Sequence, residues 1–295
     1  MIMVKENILE NKNKKRSQFK SIWFRYKKNR LAMVGLIILV FLIIIAASAP
    51  IISDYEVAIS QNMRNRLQAP NKESWFGTDQ YGRDIFARIV FGARVSLFAG
   101  IVGITSSSLI GAVIGSMAGY YGGKIDNILM RTMDILMALP SMLLAISIVA
   151  ALGAGLTNLI IALSISYIAQ FARIIRSSVL SIKNQEFIEA AVACGTRNRR
   201  IILKHIIPNA IGPLLVQSTL SIASAIILIS SLSFLGLGIK PPMPEWGSML
   251  ADARSQMRNY PYLVIIPGLA IILSVMGLNL IGDGLRDALD PRLKE

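Results

Sequence analysis

Few side chains in this 295-residue chain are of a type that makes or breaks bonds. Histidine occurs once, as His205, and cysteine once, as Cys194. A single thiol excludes an internal disulfide and a Cys-rich metal site, and the sequence has no HExxH, no GxSxG and no paired carboxylates within an apolar stretch. Gly122-Gly123-Lys124 has the close of a phosphate-binding loop, yet Ala118 stands where its first glycine is needed and Ile125 where Ser or Thr would meet magnesium. Asp79 and Asp84 are the acidic pair that a hydrolase would use; flanking Gly82 and Arg83, they serve equally well as turn and helix caps. His205 sits in a basic segment and reads as structural. The chain is therefore expected to hold no catalytic residue, no metal and no cofactor of its own.

Ion-coupled carriers place ionisable side chains at membrane depth, so that an ion or proton can bind and leave. The long apolar stretches here hold only Ser, Thr, Asn, Gln and Tyr as polar groups, for example Ser164, Ser166, Tyr167 and Gln170, which can bond to helix backbones or line a pathway. Energy for transport is thus expected from another polypeptide. A Na⁺ site built of carbonyls and hydroxyls would leave no such mark, which keeps a nucleotide-independent secondary transporter as an alternative.

Local helical logic is clearest between Ser181 and Asn209. Asn184 can cap a short helix whose first turn holds Glu186, Glu189 lies one turn on, and Gly195 suits a left-handed stop after Cys194. A second helix, basic at Arg197, Arg199, Arg200 and Lys204, leads to Pro208. With small Ala190 and Ala191, and with Phe187 and Ile188 expected to be exposed, the first helix fits a groove on another protein. Tied at both ends to membrane spans, it would carry a partner's rigid-body displacement into the bilayer. An amphipathic helix resting on the bilayer is the alternative.

The elements that position these residues follow from composition. Of the chain 54% is apolar and 16% charged, too little polar surface to cover a soluble molecule of this size. Stretches without Asp, Glu, Lys, Arg or His run from Leu31 to Ser53, Val95 to Gly123, Ile135 to Ala172, Ile206 to Ile239 and Asn259 to Gly282. A helix needs roughly 20 apolar residues to cross ~30 Å of hydrocarbon. The third stretch, broken by Gly153 and Gly155 beside Thr157 and Asn158, reads as two spans, so an all-α membrane protein of about six transmembrane helices is expected. Gly103, Ser107, Gly111, Gly115 and Gly119 form a stripe of small residues along the second span, for close helix packing within the subunit or at a subunit interface.

The net charge of +14 is distributed by side. Residues 1–30, the turn after the second span, the 173–208 loop and the tail together carry 22 of the 31 Lys and Arg, which places both termini in the cytoplasm. Basic residues arranged around a membrane argue against nucleic acid as a partner. Phe19 to Tyr26, where aromatics alternate with Lys and Arg, reads as an interfacial helix beside anionic headgroups of the lipid bilayer. The expected organisation is a basic cytoplasmic tail over 1–30, a first span over 31–53, an external loop over 54–94, a core of five spans over 95–283 and a cytoplasmic tail over 284–295.

Glu189-Ala190-Ala191, then Gly195, then Pro208 resembles the EAA loop of ABC-importer permeases, and the run His205-Ile206-Ile207-Pro208-Asn209 resembles their peptide and nickel branch. Gly77-Thr78-Asp79 through Gly82-Arg83-Asp84 to Leu97, and Ser233 to Gly238 followed by Pro241-Pro242 and Trp246-Gly247, resemble the "C" permease of dipeptide and oligopeptide importers; Asp290-Pro291-Arg292 also fits. The resemblance covers about Lys28 to Leu293. It implies a type I ABC importer permease fold in the cell membrane, a homologous second permease, two ATP-binding subunits that hold ATP and Mg, and an extracytoplasmic substrate-binding protein. Glu186, Phe187, Glu189, Ala190, Ala191, Gly195 and Pro208 would then couple to the ATPases, with Pro208 starting the fifth span. Gly77, Thr78, Asp79, Gly82, Arg83, Asp84, Pro241, Pro242, Trp246 and Gly247 would form external surface near the binding protein or the second permease. The cargo implied is a di- or oligopeptide, with nickel or a metallophore as the alternative. Ile229-Ser230 departs from the pattern, where relatives often have Glu-Ala.

Overall fold

The computed structural model describes residues 20–289. Residues 1–19 and 290–295 lie outside it, and with them most of the basic tail, Phe19 and Asp290-Pro291-Arg292. A helix over 20–28 (α1) leads to α2 (Arg30–Ala47), α3 (Ala49–Ile52) and α4 (Tyr55–Ile59). A largely irregular segment over 60–84 precedes α5 (Ile85–Tyr121), α6 (Gly123–Met137), α7 (Ser141–Leu152) and α8 (Leu156–Ile182). Then come α9 (Glu186–Ala193), α10 (Asn198–Ile201), α11 (Ile207–Phe234), α12 (Trp246–Ala253) and α13 (Tyr262–Leu289). Five helices are long and apolar enough to cross a membrane, and a sixth crossing results if the bent pair α6–α7 counts as one.

The bent pair is where the spans depart most from expectation. In place of a straight span beginning at Ile135, α6 and α7 meet at 87°. Pro140 lacks an N–H and biases Leu139 away from helical geometry, so the helix ends there and restarts at Ser141. With 12 residues, α7 reaches only ~18 Å, too short to cross alone. The charged face of α6 is used: Asp126 binds Arg176 of α8 through two bonds of 2.5 and 2.6 Å, and Asp134 binds Arg173 at 2.9 Å.

Absence of charge marks where lipid can begin, and helices need not begin there. α5 starts at Ile85, ten residues before the expected span, because Asp84 caps it by accepting the Ala87 N–H at 2.8 Å and because Arg88 is buried among carboxylates. Pro208 stands in the first turn of α11, where the fifth span was expected to start, but the helix does not begin afresh there: a π-helical turn over Ile202–Ile206 makes it continuous with α10 over 198–234. A proline near the start of an α-helical stretch forfeits no bond when the turn before it already departs from the i→i−4 ladder.

Packing centres on α5 against α8. The small-residue stripe of α5 faces α8 within this chain: a Cβ on Gly111 would stand 2.6 Å from the Phe171 Cβ, and one on Gly119 would stand 2.9 Å from the Val179 Cβ. Ser107 Oγ lies 2.8 Å from the Ser164 carbonyl, and Ser164 Oγ donates to the Gly103 carbonyl at 3.2 Å, so these polar groups join helices. Ile229 is fully buried in this core. In α1, Trp23 stacks on Tyr26, and Tyr26 is buried with Ala32 and Ala288, which docks that helix on α2 and α13.

Candidate functional site

Two regions gather the residues singled out above. The first is α9 with its flanks. Asn184 does not cap it; Gln185 holds the N-cap position and makes no side-chain capping bond. Gly195 does take the left-handed conformation, at φ 70°, and the N–H groups of Gly195 and Thr196 close on the Val192 and Ala191 carbonyls. Glu186 and Glu189 lie in the first turn, where the helix dipole favours them.

Ile188, expected to be exposed, is only 2% exposed. It enters the same core as Val179 and Ile182 of α8 and Ile201 and Ile202 of the following helix, since an eight-residue helix between two turns needs one apolar anchor to hold its orientation. That anchor leaves Glu186, Phe187, Glu189, Ala190, Val192 and Gly195 facing outward, with Ala191 partly covered. Beside them lies an open groove of about 610 Å³, whose far wall is Tyr120 and Tyr121 at the end of α5. The Tyr120 hydroxyl meets Asn198 Oδ1 at 3.0 Å and ties that wall to α10. Nothing in the sequence pattern pointed to these tyrosines, because they sit some 70 residues away at the close of another helix.

The second region lies at the opposite end of the spans. Arg83 donates from Nε to Asp79 and from a terminal nitrogen to Asp252, both at 2.6 Å, and Arg88 stands 3.7 and 3.6 Å from the same two carboxylates. The cluster joins the segment before α5 to α12. Asp79 Oδ1 also accepts the N–H groups of Tyr81 and Arg83, a turn cap as expected. Neighbouring Glu245 is fully buried; its carboxylate accepts the N–H groups of Gly247 and Ser248 at 2.8 Å each and caps α12. Burial pushes the Glu245 carboxyl above the usual glutamate range, and the N–H groups of Gly247 and Ser248 and the Ser96 hydroxyl oppose the rise. Trp246, also fully buried, donates from its indole to the Ile89 carbonyl at 3.1 Å.

This arrangement corrects the expectation of external surface. Gly77, Thr78, Asp79, Arg83, Trp246 and Gly247 are buried within the chain, so they brace the segments before α5 and around α12 and offer no face to a partner. Gly82 and Asp84 are half-buried, and Pro241 and Pro242 are exposed. Asp252 and Glu245 were missed because an isolated acid in a loop looks like any solvated charge until its cation is folded against it.

Comparison with known proteins agrees with this architecture. A family described as "Binding-protein-dependent transport system inner membrane component" matches residues 111–295, and one described as "N-terminal TM domain of oligopeptide transport permease C" matches residues 17–70. The chain is 50% identical over 278 residues to the dipeptide transport system permease protein DppC of Alkalihalophilus pseudofirmus, covering 94% of this chain and 91% of that one. It is 43% identical to the oligopeptide transport system permease protein OppC of Bacillus subtilis (95% and 91% covered) and 42% identical to the glutathione transport system permease protein GsiD of Escherichia coli (95% and 92%). Among solved structures, a chain of the inward-facing MetNI methionine ABC transporter superimposes with a TM-score of 0.56 at 18% identity, covering 69% of this chain and 97% of that one. A chain of an amino acid ABC transporter gives 0.52 at 18% identity, with 67% and 92% covered. At such identities the likeness speaks for the fold, that of type I ABC importer permeases.

Proposed function

Because the chain belongs to the family of binding-protein-dependent transport system inner membrane components, we propose that it is one of two membrane subunits of an ATP-driven importer whose cargo is short peptides. In this reading a homologous permease forms the other half of the pathway, two ATPase subunits carrying ATP and Mg sit on the cytoplasmic face, and an extracytoplasmic protein delivers the cargo. Both termini are cytoplasmic.

The observation that carries the coupling role is the form of α9. It is a short helix pinned by Ile188, with an acidic and apolar outer face, and it is joined directly to two membrane-spanning helices. A partner that grips Glu186, Phe187, Glu189 and Ala190 moves α8 and the 198–234 helix with it. ATP-driven closure of the ATPases would turn the paired permeases outward, and hydrolysis would reset them. Support for peptide cargo comes from the relatives named for dipeptide and oligopeptide transport; a third is named for glutathione, itself a short peptide derivative. Nickel or a metallophore remains the second reading on resemblance alone.

The test is to purify the tagged chain in mild detergent and identify what accompanies it. A second permease and two ATPases are expected, and Ala190→Arg should abolish ATP-dependent uptake while membrane insertion persists. Uptake retained in that variant, or nucleotide-independent transport by the chain alone, would sink this reading.

A further inference from the structure

A cavity of about 810 Å³ opens beside the outer end of the first span, between α3, α4, the start of α5 and the loop before α12. Its volume falls within the roughly 300–1,000 Å³ of small-molecule sites, and its make-up is theirs too: apolar walls with a few convergent polar groups. Phe91 and Val95 of α5 and Met243 and Pro244 of the loop supply the walls. Tyr55 packs edge-on against Phe91 with ring centroids 5.2 Å apart, which fixes α4 as the opposite side.

Charge at this cavity is unspent. Arg83 and Arg88 are buried and paired with Asp79 and Asp252, whereas Arg94, nearly two turns beyond Arg88 on α5, is exposed and has no carboxylate within 4 Å among the described residues. Asp54 is exposed as well; one oxygen caps α4 through the Glu56 N–H at 3.3 Å, and the other has no hydrogen-bond partner among the described residues. The cavity therefore offers one cation and one anion over an apolar floor, the complement of a zwitterion with apolar side chains.

We propose that this cavity is an outer subsite that receives a peptide by its free ends, with Arg94 taking the α-carboxylate, Asp54 the α-ammonium and the apolar wall the side chains. The proposal rests on the peptide-importer reading above. It places part of the selection for free termini in the membrane subunit, after release from the delivering protein.

The complete transporter in liposomes tests it, using a radiolabelled tripeptide with free ends, its C-terminal amide and its N-acetyl form, each at equal occupancy of the binding protein. Arg94→Gln is expected to lower uptake of the free peptide about tenfold, the worth of one charge-assisted bond, and to leave the amide unaffected. Asp54→Asn, which keeps a capping oxygen, should do the same for the free against the N-acetylated peptide. Co-purification of the ATPases with each variant verifies assembly. Equal losses for free and blocked peptides, as a lipid headgroup or the delivering protein docked in the cavity would produce, overturn the site, and so does an unchanged ratio. Failure of the wild-type transporter to import any peptide overturns the cargo reading itself, and the site with it.

Discussion

Gly115 leaves no room for a side chain: a Cβ there would collide with the Ala172 carbonyl and stand 3.0 Å from the Arg176 nitrogen, both backbone atoms of α8. Backbone cannot swing aside as a side-chain tip can. Gly115→Ala should therefore force α5 and α8 apart at a cost of ~1–3 kcal/mol, seen as a lowered unfolding midpoint in detergent. An unchanged midpoint would mean that the two helices do not approach this closely. The spacing of Gly103, Gly111, Gly115 and Gly119 announced a close approach, but a stripe of small residues does not say which helix it receives. Glu245 shows the opposite limit: its role depends on the N–H groups of Gly247 and Ser248 and on complete burial, neither of which a single acid before a tryptophan reveals.

At the scale of elements, α9 shows what local sequence rules reach. Its existence, its acidic first turn and its left-handed stop at Gly195 were legible, because capping and dipole preferences act within one turn. Which of Phe187 and Ile188 would be buried was not legible, because that depends on where α8 and the 198–234 helix converge. The same limit explains α6 and α7. The bend at Pro140 is a local fact, but the use of Asp126 and Asp134 to clamp α6 onto Arg176 and Arg173 depends on a helix some 40 to 50 residues away. If α9 transmits force through its anchor, Ile188→Ala, which removes the buried part of that contact, should loosen the link without removing the outer face. The expected result in liposomes is continued ATP hydrolysis with a lower ratio of peptide imported to ATP consumed. An unaltered ratio would assign transmission to the chain connections alone.

For the molecule as a whole, long-range order in the sequence lay in composition and in the sidedness of charge. Lipid replaces most of what a soluble core must encode with a simple apolar requirement, which is why about six crossings could be counted before any contact was known, against five, or six with the bent pair as one, in the structure. The polar ends were harder to read, since segments that looked like free loops fold into the Arg83–Asp79–Arg88–Asp252 cluster and become part of the body. The excess of Lys and Arg on one side predicts the orientation, and a single thiol can test it. Cys194, exposed at the end of α9, is the only cysteine of the chain, so every labelling event reports one location. A membrane-impermeant maleimide should modify it in inside-out vesicles and spare it in intact cells, and the assembled ATPases should slow the reaction by covering α9. Labelling from outside intact cells would invert the orientation and set α9 on the face where no ATPase can reach it.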